Sequence, residues 1–150
     1  VAMVLEVLQM VADDVAAVED DAAIETLSPA DADEMLALTD LTKPGPFARR
    51  TIAMGDYFGI RAEGRLIAMA GQRLNLPRHR EVSAVCTHPD HLGRGHARRL
   101  VSEVARRILA EGKTPFLHVV PGNESAIAVY RKLGFAPRRH LVFTVLRRLP

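Results

Sequence analysis

Apolar residues recur along the chain with helical spacing in some stretches and with strand spacing in others. The strongest helical pattern runs from Ala97 to Leu109, where apolar residues recur at i, i+3, i+4 and i+7 and arginines occupy the opposite face. Gly112 follows in the position where a helix usually ends. Ser28 and Pro29 form the N-terminal cap of another helix. The sequence thus predicts about four helices, at 29–39, 47–54, 97–111 and 123–133.

Shorter stretches of apolar and β-branched residues predict strands. The turn sequence 62–65 separates two of them and indicates a hairpin. Val1–Ala12 fits either a helix or a buried strand, and the strand is favoured. Antiparallel hairpins followed by a strand–helix–strand crossover indicate an α/β fold of α+β type, with a mixed sheet of six to seven strands covered by helices. The other predicted strands are at 22–27, 57–61, 66–74, 80–87, 114–120 and 140–146.

The composition is that of one ordinary globular domain. The chain has 150 residues, of which 48% are hydrophobic, enough to bury a core without metals or disulfides. Its single cysteine, Cys86, cannot form an intrachain disulfide, which predicts a reducing, cytoplasmic location. No run reaches the roughly 18 apolar residues of a membrane span. We predict an acidic N-terminal extension or extra strand at 1–21 and one domain at 22–150.

The net charge of +2 conceals an uneven distribution. Residues 1–40 hold eleven of the 18 acidic residues and no Lys or Arg, so all 20 basic residues lie in the remainder. A strongly basic body points to an anionic partner, although genome bias toward arginine would give the same composition. The acidic segment could face a cationic substrate, dock on the basic body of the same or another chain, or only maintain solubility.

A glycine-containing junction between a predicted strand and the strongest helix is the clearest candidate site. Gly93 and Gly95 remove side chains where the chain enters the helix, and exposed N–H groups at a helix N-terminus bind phosphate or pyrophosphate. Arg94, Arg98 and Arg99 add cations that can pair with such a group. The junction lacks the third glycine of a dinucleotide-binding fingerprint and the Gly-Lys-Ser/Thr of a P-loop.

Two segments together resemble the GNAT superfamily of N-acetyltransferases. Leu92–Ala97 is similar to the acyl-CoA signature Gln/Arg-x-x-Gly-x-Gly/Ala, with Leu92 departing from the first position. Asn123–Phe135 is similar to Asn-x-x-Ala-x-x-x-Tyr-x-x-x-Gly-Phe. The resemblance covers roughly residues 22–148, and both segments occur in the family's order.

The resemblance implies direct transfer of an acetyl group from acetyl-CoA, the cosubstrate, to a primary amine in a ternary complex. It also implies a cleft between two splayed parallel strands, with Tyr130 protonating the leaving thiolate. The strand backbone would bind the pantetheine, the loop amides would bind the pyrophosphate, and one face of the following helix would line the cleft. The implied cofactor-binding residues are Val85, Cys86, Thr87, Leu92, Gly93, Arg94, Gly95, His96, Ala97, Arg98, Asn123 and Ala126.

Glu81 is the candidate general base, because some family members carry a catalytic glutamate on the strand before the loop. Strand alternation places Glu81, Ser83 and Val85 on one face, although a solvated edge carboxylate is an equal interpretation. His118 is either a core histidine with satisfied hydrogen bonds or a residue facing the cleft. No metal site is expected, since His88, His91 and His96 lie in a loop where no second cysteine or acidic ligand repeats with them.

The acceptor is a small-molecule or peptide amine that the sequence does not identify. The family forms its acceptor pocket from segments equivalent to 39–54 and 136–140, with Phe47, Arg49 and Tyr57 as candidate lining residues. The alternatives are a non-catalytic CoA-binding regulatory module and, less favoured, a basic nucleic-acid-binding domain. Aromatic residues make up only 5% of the chain and Trp is absent, which argues against base stacking. A homodimer is compatible with the sequence.

Overall fold

A seven-stranded sheet crosses the protein, which a computed structural model describes over residues 3–19 and 23–146. The strands are β1 (Met3–Val11), β2 (Glu25–Leu27), β3 (Tyr57–Ala62), β4 (Arg65–Asn75), β5 (His79–Thr87), β6 (Thr114–Val119) and β7 (Ala136–Val145), and the helices are α1 (Ala32–Thr42), α2 (His96–Ala110) and α3 (Glu124–Leu133). Their order is β2-β3-β4-β5-β6-β1-β7, and β5 and β6 form the one parallel pair among the described strands. The predicted mixed, mostly antiparallel sheet is confirmed.

The first strand lies inside the sheet. β1 pairs antiparallel with β6 on one side and with β7 on the other, so the strand interpretation of the first residues is confirmed. The start predicted for the second strand, at Ala22, lies outside the described residues.

The beginning of α1 follows the predicted capping. The Ser28 hydroxyl accepts a hydrogen bond from the Ala30 N–H at 3.2 Å, and the Asp31 carboxylate accepts one from the Ser28 N–H at 2.7 Å. This reciprocal box satisfies two backbone donors and leads through one 3-10 turn, Pro29–Asp31, into the helix.

The predicted helix at 47–54 is wrong. Only Thr51–Met54 is helical there, as a single 3-10 turn without a side-chain cap. A helix this short must fix several backbone dihedral angles but forms few hydrogen bonds in return. The single turn is therefore not extended into a longer helix. The described residues therefore form three α-helices rather than about four.

The two faces of the sheet pack against different helices. On one face, the large core cluster includes five side chains of α2 that are fully buried: Leu100, Val101, Val104, Ala105 and Ile108. On the other face, Met35 and Leu38 of α1 pack against Met69. Burying each Leu, Ile, Val or Met side chain contributes roughly 1.5–3 kcal/mol to folding. The sheet is thereby held rigid on both sides.

Acidic residues of the N-terminal segment dock on the basic part of the same chain. Arg61 in β3 forms ion pairs with Glu25, Asp31 and Glu34, whose carboxylate oxygens lie 3.1, 2.7 and 2.8 Å from its guanidinium nitrogens. Of the roles considered for the acidic segment, docking within the chain is confirmed for these three residues.

A β-bulge in β5 separates this strand from β6. Ala84 has a φ of 54°, in the left-handed region, and the pairing with β4 shifts between Met69–Cys86 and Gly71–Ser83. The parallel pairing of β5 with β6 extends only from His79 to Glu81. Because a bulge bends its strand and adds a residue, the two strands diverge beyond Glu81 and open a cleft.

The bulge also corrects the predicted face of β5. The extra residue puts Cys86, rather than Val85, on the face of Glu81 and Ser83, since paired residues share a face. Accordingly, Cys86 packs in the cluster with α1, whereas Val85 packs against the cluster with α2.

Candidate active site

A cleft of about 560 Å³ lies where β5 and β6 diverge. One wall is β5 from Glu81 to Thr87 and the opposite wall is β6 from Leu117 to Val119. The end of α1 and the segment that follows it contribute residues 41–47, and Asn123 and Tyr130 of α3 also line the cleft. β1 and β7 contribute Leu5, Val7 and Phe143. The cleft is therefore assembled from residues distributed over the whole chain.

The wall formed by β5 presents unpaired polar groups. Beyond Glu81 its edge toward β6 has no ladder partner, so those backbone N–H and C=O groups of residues 82–87 that point away from β4 face the cleft. The Thr87 hydroxyl is buried and has no hydrogen-bond partner among the described residues. An extended ligand with amide groups could form hydrogen bonds with both the free strand backbone and the Thr87 hydroxyl.

Cys86 lines the cleft but is not a nucleophile at neutral pH. Its burial raises the pKa of its thiol to about 11, so the thiol remains protonated. A covalent acyl-cysteine route is therefore disfavoured by the environment of this residue.

The glycine-containing loop leads from β5 into α2. Gly93 and Gly95 have φ values of +75° and +78°, and a Cβ on either would meet no atom within 4 Å. α2 begins at His96 without a side-chain cap, so no capping side chain covers the N–H groups of Ala97 and Arg98. Arg94 and Arg98 are exposed beside them. The loop thus combines open space, backbone donors without a side-chain cap, and positive charge.

The remaining cofactor candidates divide between cleft and core. Leu92 and Asn123 line the cleft, and the Asn123 side chain also caps α3 by accepting a hydrogen bond from the Ala126 N–H at 3.3 Å. Ala126 itself packs against the core. His96 and Ala97 lie in the first turn of α2, beside the loop glycines.

Tyr130 lines the cleft from α3 and is 8% exposed. Its ring packs edge-on against Phe135 with centroids 6.2 Å apart. Burial raises the pKa of the Tyr130 hydroxyl to about 12, so the group is protonated throughout the physiological range. A buried, protonated hydroxyl in the cleft can serve as a proton donor.

Glu81 is a buried, paired carboxylate. It is 1% exposed, and Arg73 donates to both its oxygens, with Nε 2.8 Å from Oε2 and Nη2 2.7 Å from Oε1. Burial acts to raise its pKa, but the hydrogen bonds from His118 and Arg73 outweigh burial, so the pKa lies below the ordinary value. The alternative of a solvated edge carboxylate is wrong, and Glu81 is ionised at neutral pH.

His118 lies beside Glu81 and, like it, lines the cleft. Its Nδ1 is 2.8 Å from Glu81 Oε1, its Nε2 is 3.1 Å from Gln9 Nε2, and its ring contacts Phe143 edge-on at 4.7 Å. The sequence predicts that His118 is either a core histidine or faces the cleft, and its position in the cleft is confirmed. Both of its ring nitrogens also have hydrogen-bond partners. Its pairing with Glu81 follows from the parallel register, in which Glu81 lies opposite Phe116.

The predicted acceptor residues are only partly placed in the cleft. Phe47 lines it, but Tyr57 is buried behind Phe47, with the two rings edge-on and 5.8 Å apart. Arg49 is exposed and paired with Asp33. Residues 136–140 are not a loop, because β7 already begins at Ala136 and continues the pairing with β1.

A family model described as FR47-like protein matches residues 57–144, which include β5, the glycine-containing loop, His118 and Tyr130. The chain belongs to the FR47-like family of GNAT acetyltransferases. The resemblance seen in the two sequence motifs is thereby confirmed.

Individual relatives support this membership. The GNAT chain is 38% identical over 82 residues to the N-alpha-acetyltransferase RimI of Mycobacterium tuberculosis, a match that covers 53% of the chain and 51% of the relative. It is 35% identical over 123 residues to an uncharacterised protein of Mycobacterium leprae, covering 75% of the chain and 34% of that protein. The chain thus spans about a third to a half of the length of these curated relatives.

The fold agrees with a GNAT-family protein of known structure from Novosphingobium aromaticivorans. The TM-score is 0.88 at 43% identity, covering 94% of the GNAT chain and 63% of the other. In the part of the chain that the structure describes, no helix is both long and apolar enough to span a bilayer. Over the same residues, no three His, Cys, Asp or Glu side chains are grouped as metal ligands would be.

Proposed function

We propose that this GNAT chain transfers an acetyl group from acetyl-CoA to a primary amine, directly and without an acyl-enzyme. The supporting observation is the cleft opened by the Ala84 bulge, because it brings free strand backbone, the glycine-containing loop and a protonated Tyr130 to one place. The protonated state of Cys86 supports the direct route.

The residues present fit acetyl-CoA. The backbone of residues 85–87 and the unpartnered Thr87 hydroxyl suit the amide-containing pantetheine arm, and the open loop at Gly93 and Gly95 suits its pyrophosphate. Arg94 and Arg98 would pair with its phosphates. When bound, acetyl-CoA supplies a thioester, an activated acyl group on a good leaving group.

Two proton transfers are assigned to side chains of the cleft. Tyr130 Oη would donate its proton to the departing sulfur. The Glu81–His118 pair would take the proton of the attacking amine, with His118 accepting it and Glu81 remaining ionised beside the ring. A backbone N–H near Cys86 would stabilise the developing oxyanion.

An N-terminal α-amine flanked by an apolar residue is the acceptor that we propose. The mycobacterial relative is described as an N-alpha-acetyltransferase. Among the described cleft residues Glu81 is the one acid, and Arg73 already pairs with it, so a polyamine would find no free carboxylate. Leu5, Val7 and Phe143 instead offer an apolar wall.

The test is thiol release from acetyl-CoA with a panel of acceptors. We expect peptides with an apolar N-terminal residue to be acetylated at the α-amine, which mass spectrometry would locate, and spermidine to be a poor acceptor. Acetyl-CoA binding without turnover on any acceptor would instead favour a non-catalytic CoA-binding module. Salt-dependent nucleic-acid binding without acetyl-CoA binding would contradict both functions.

Replacing Gly95 by Glu is expected to abolish the thermal stabilisation of the protein by CoA. The new carboxylate would enter the open space of the loop and repel the pyrophosphate. The matched control is Gly64→Glu in the turn between β3 and β4, since Gly64 also has a φ of +78° and open space around its Cβ. The two variants carry the same backbone strain, so only Gly95→Glu should lose the CoA-dependent shift in Tm. If CoA raised the Tm of both variants by the same amount, the loop would be excluded as the phosphate site.

A further inference from the structure

One polar side chain from each of five neighbouring strands forms a continuous hydrogen-bonded row across the sheet. Arg73 of β4 contacts Glu81 of β5, Glu81 contacts His118 of β6, His118 contacts Gln9 of β1, and Gln9 contacts Arg138 of β7. All five members lie outside the two segments that resemble the GNAT signatures. The row therefore links the candidate base to the outer strand of the sheet.

The two arginines at the ends fix the direction of every hydrogen bond in the row. A guanidinium group only donates, so Gln9 must turn its Oε1 to Arg138 Nη1, at 2.7 Å, and its NH₂ to His118. His118 Nε2, 3.1 Å from that NH₂, must then accept and carry no proton. The ring proton of neutral His118 consequently lies on Nδ1 and is donated to Glu81 Oε1 at 2.8 Å.

We infer that Gln9 and Arg138 are positioning residues that hold His118 as the neutral Nδ1–H tautomer, with Nε2 as its proton-accepting atom. This inference rests on the proposed function only for its catalytic consequence, because the tautomer itself follows from the hydrogen bonds. A proton on Nε2 would face the Gln9 NH₂, two donors in contact, as long as Arg138 holds the amide oxygen.

Proton uptake by His118 therefore requires the Gln9 amide to turn. The proton of the attacking amine passes to Nε2, Gln9 Oε1 leaves Arg138 and accepts from the new Nε2–H, and the exposed Arg138 is released to solvent. Glu81 remains ionised and stabilises the imidazolium through Nδ1, while Arg73 retains Glu81 in place. The flanking rings of Phe116 and Phe143 carry no charge.

The groups that act on His118 favour opposite protonation states. Glu81 on β5 favours the charged ring, whereas Arg138 on β7, acting through Gln9 on β1, favours the neutral ring. Gln9→Glu replaces the donor at Nε2 by an acceptor and so stabilises the imidazolium. In this variant the titration midpoint of His118 should rise by about 1 pH unit or more, as expected when a carboxylate is added in contact with the ring. Arg138→Gln frees the amide to turn and should raise the midpoint by a smaller amount.

The experiment is ¹⁵N NMR of the histidine ring nitrogens in the protein without acetyl-CoA, followed across pH. We expect the wild-type His118 to show a protonated Nδ1 and an unprotonated Nε2 when neutral. Arg139→Gln is the control, because it removes the same charge from the next residue, which pairs with Gln9 through the strand backbone but, unlike Arg138, has no side-chain hydrogen bond to it. It should leave the titration midpoint unchanged.

The acidic limb of kcat/KM should move with the midpoint in Gln9→Glu and Arg138→Gln. A neutral Nε2–H tautomer in the wild type, or an unchanged midpoint in both variants, would overturn the inference. Because Arg138 is exposed, Arg138→Gln should fold normally. It therefore tests the inference even if Gln9→Glu fails to fold. The expected tautomer without any turnover would refute the proposed function alone, whereas turnover with the other tautomer would refute only this inference.

Discussion

Replacing Tyr130 by phenylalanine is expected to lower kcat by roughly two to four orders of magnitude, the usual contribution of a general acid. The substitution removes one hydroxyl and keeps the ring that packs against Phe135, so acetyl-CoA should bind as before. Steady-state kinetics would measure kcat, and isothermal titration would measure the affinity for acetyl-CoA.

Tyr57→Phe is the matched control for this prediction. The Tyr57 hydroxyl is also buried, but it has no hydrogen-bond partner among the described residues, and Tyr57 packs against Phe47 without lining the cleft itself. Its removal should leave kcat unchanged, and it should not destabilise the fold, because an unsatisfied buried polar group is lost. If Tyr130→Phe were as active as Tyr57→Phe, the proton donor would have to be another group.

Replacing Glu81 by glutamine is expected to reduce the free energy of unfolding at pH 7 by about 3–5 kcal/mol, the usual cost of removing one partner of a buried ion pair. Arg73 would lose its counter-ion at a position where Glu81 is 1% exposed, and His118 would lose a charged acceptor. Urea unfolding of both proteins would measure the difference.

The difference in free energy of unfolding between the wild type and Glu81→Gln should decrease as the pH falls. The pKa of Glu81 is lowered in the folded state, so its stabilisation is fully present above the unfolded pKa, near 4.5, and is lost as pH falls through the folded pKa. Wild type and Glu81→Gln should therefore converge in strong acid. The control is Glu103→Gln, which breaks a more accessible pair with Arg107 on α2 and should cost less than about 1 kcal/mol. If Glu81→Gln and Glu103→Gln lost the same free energy of unfolding, burial of the Arg73–Glu81 pair would not account for its stabilising effect.

The parts of the site that the sequence predicts are those formed by residues close together in the chain. The loop at Gly93 and Gly95 and the face of α3 that carries Tyr130 are local features, because a turn and a helical repeat each need only a few neighbouring residues. The amphipathic pattern of α2 is equally local and corresponds to its buried face.

The parts that the sequence does not predict depend on how distant strands align. Regular alternation cannot anticipate the bulge at Ala84, which moves Val85 to the other face and opens the cleft. The contact of His118 with Gln9 joins residues 109 positions apart, and that of Gln9 with Arg138 joins residues 129 apart. Each requires β1 to lie between β6 and β7, a placement set by the packing of the whole sheet rather than by any local pattern.

The position of β1 also determines the order in which the chain can fold. Leu8 pairs with Val119 and Met3 pairs with Val145, so both partners of β1 lie far downstream of it in the sequence. At about 5–20 residues per second, a ribosome would need several seconds or more to deliver them after β1 has emerged. During that interval the apolar strand is unpaired, and contacts so distant in sequence form slowly. The cleft is lined by residues of β1, β6 and β7 and cannot be complete until these strands have paired, so it is among the last parts of the molecule to form.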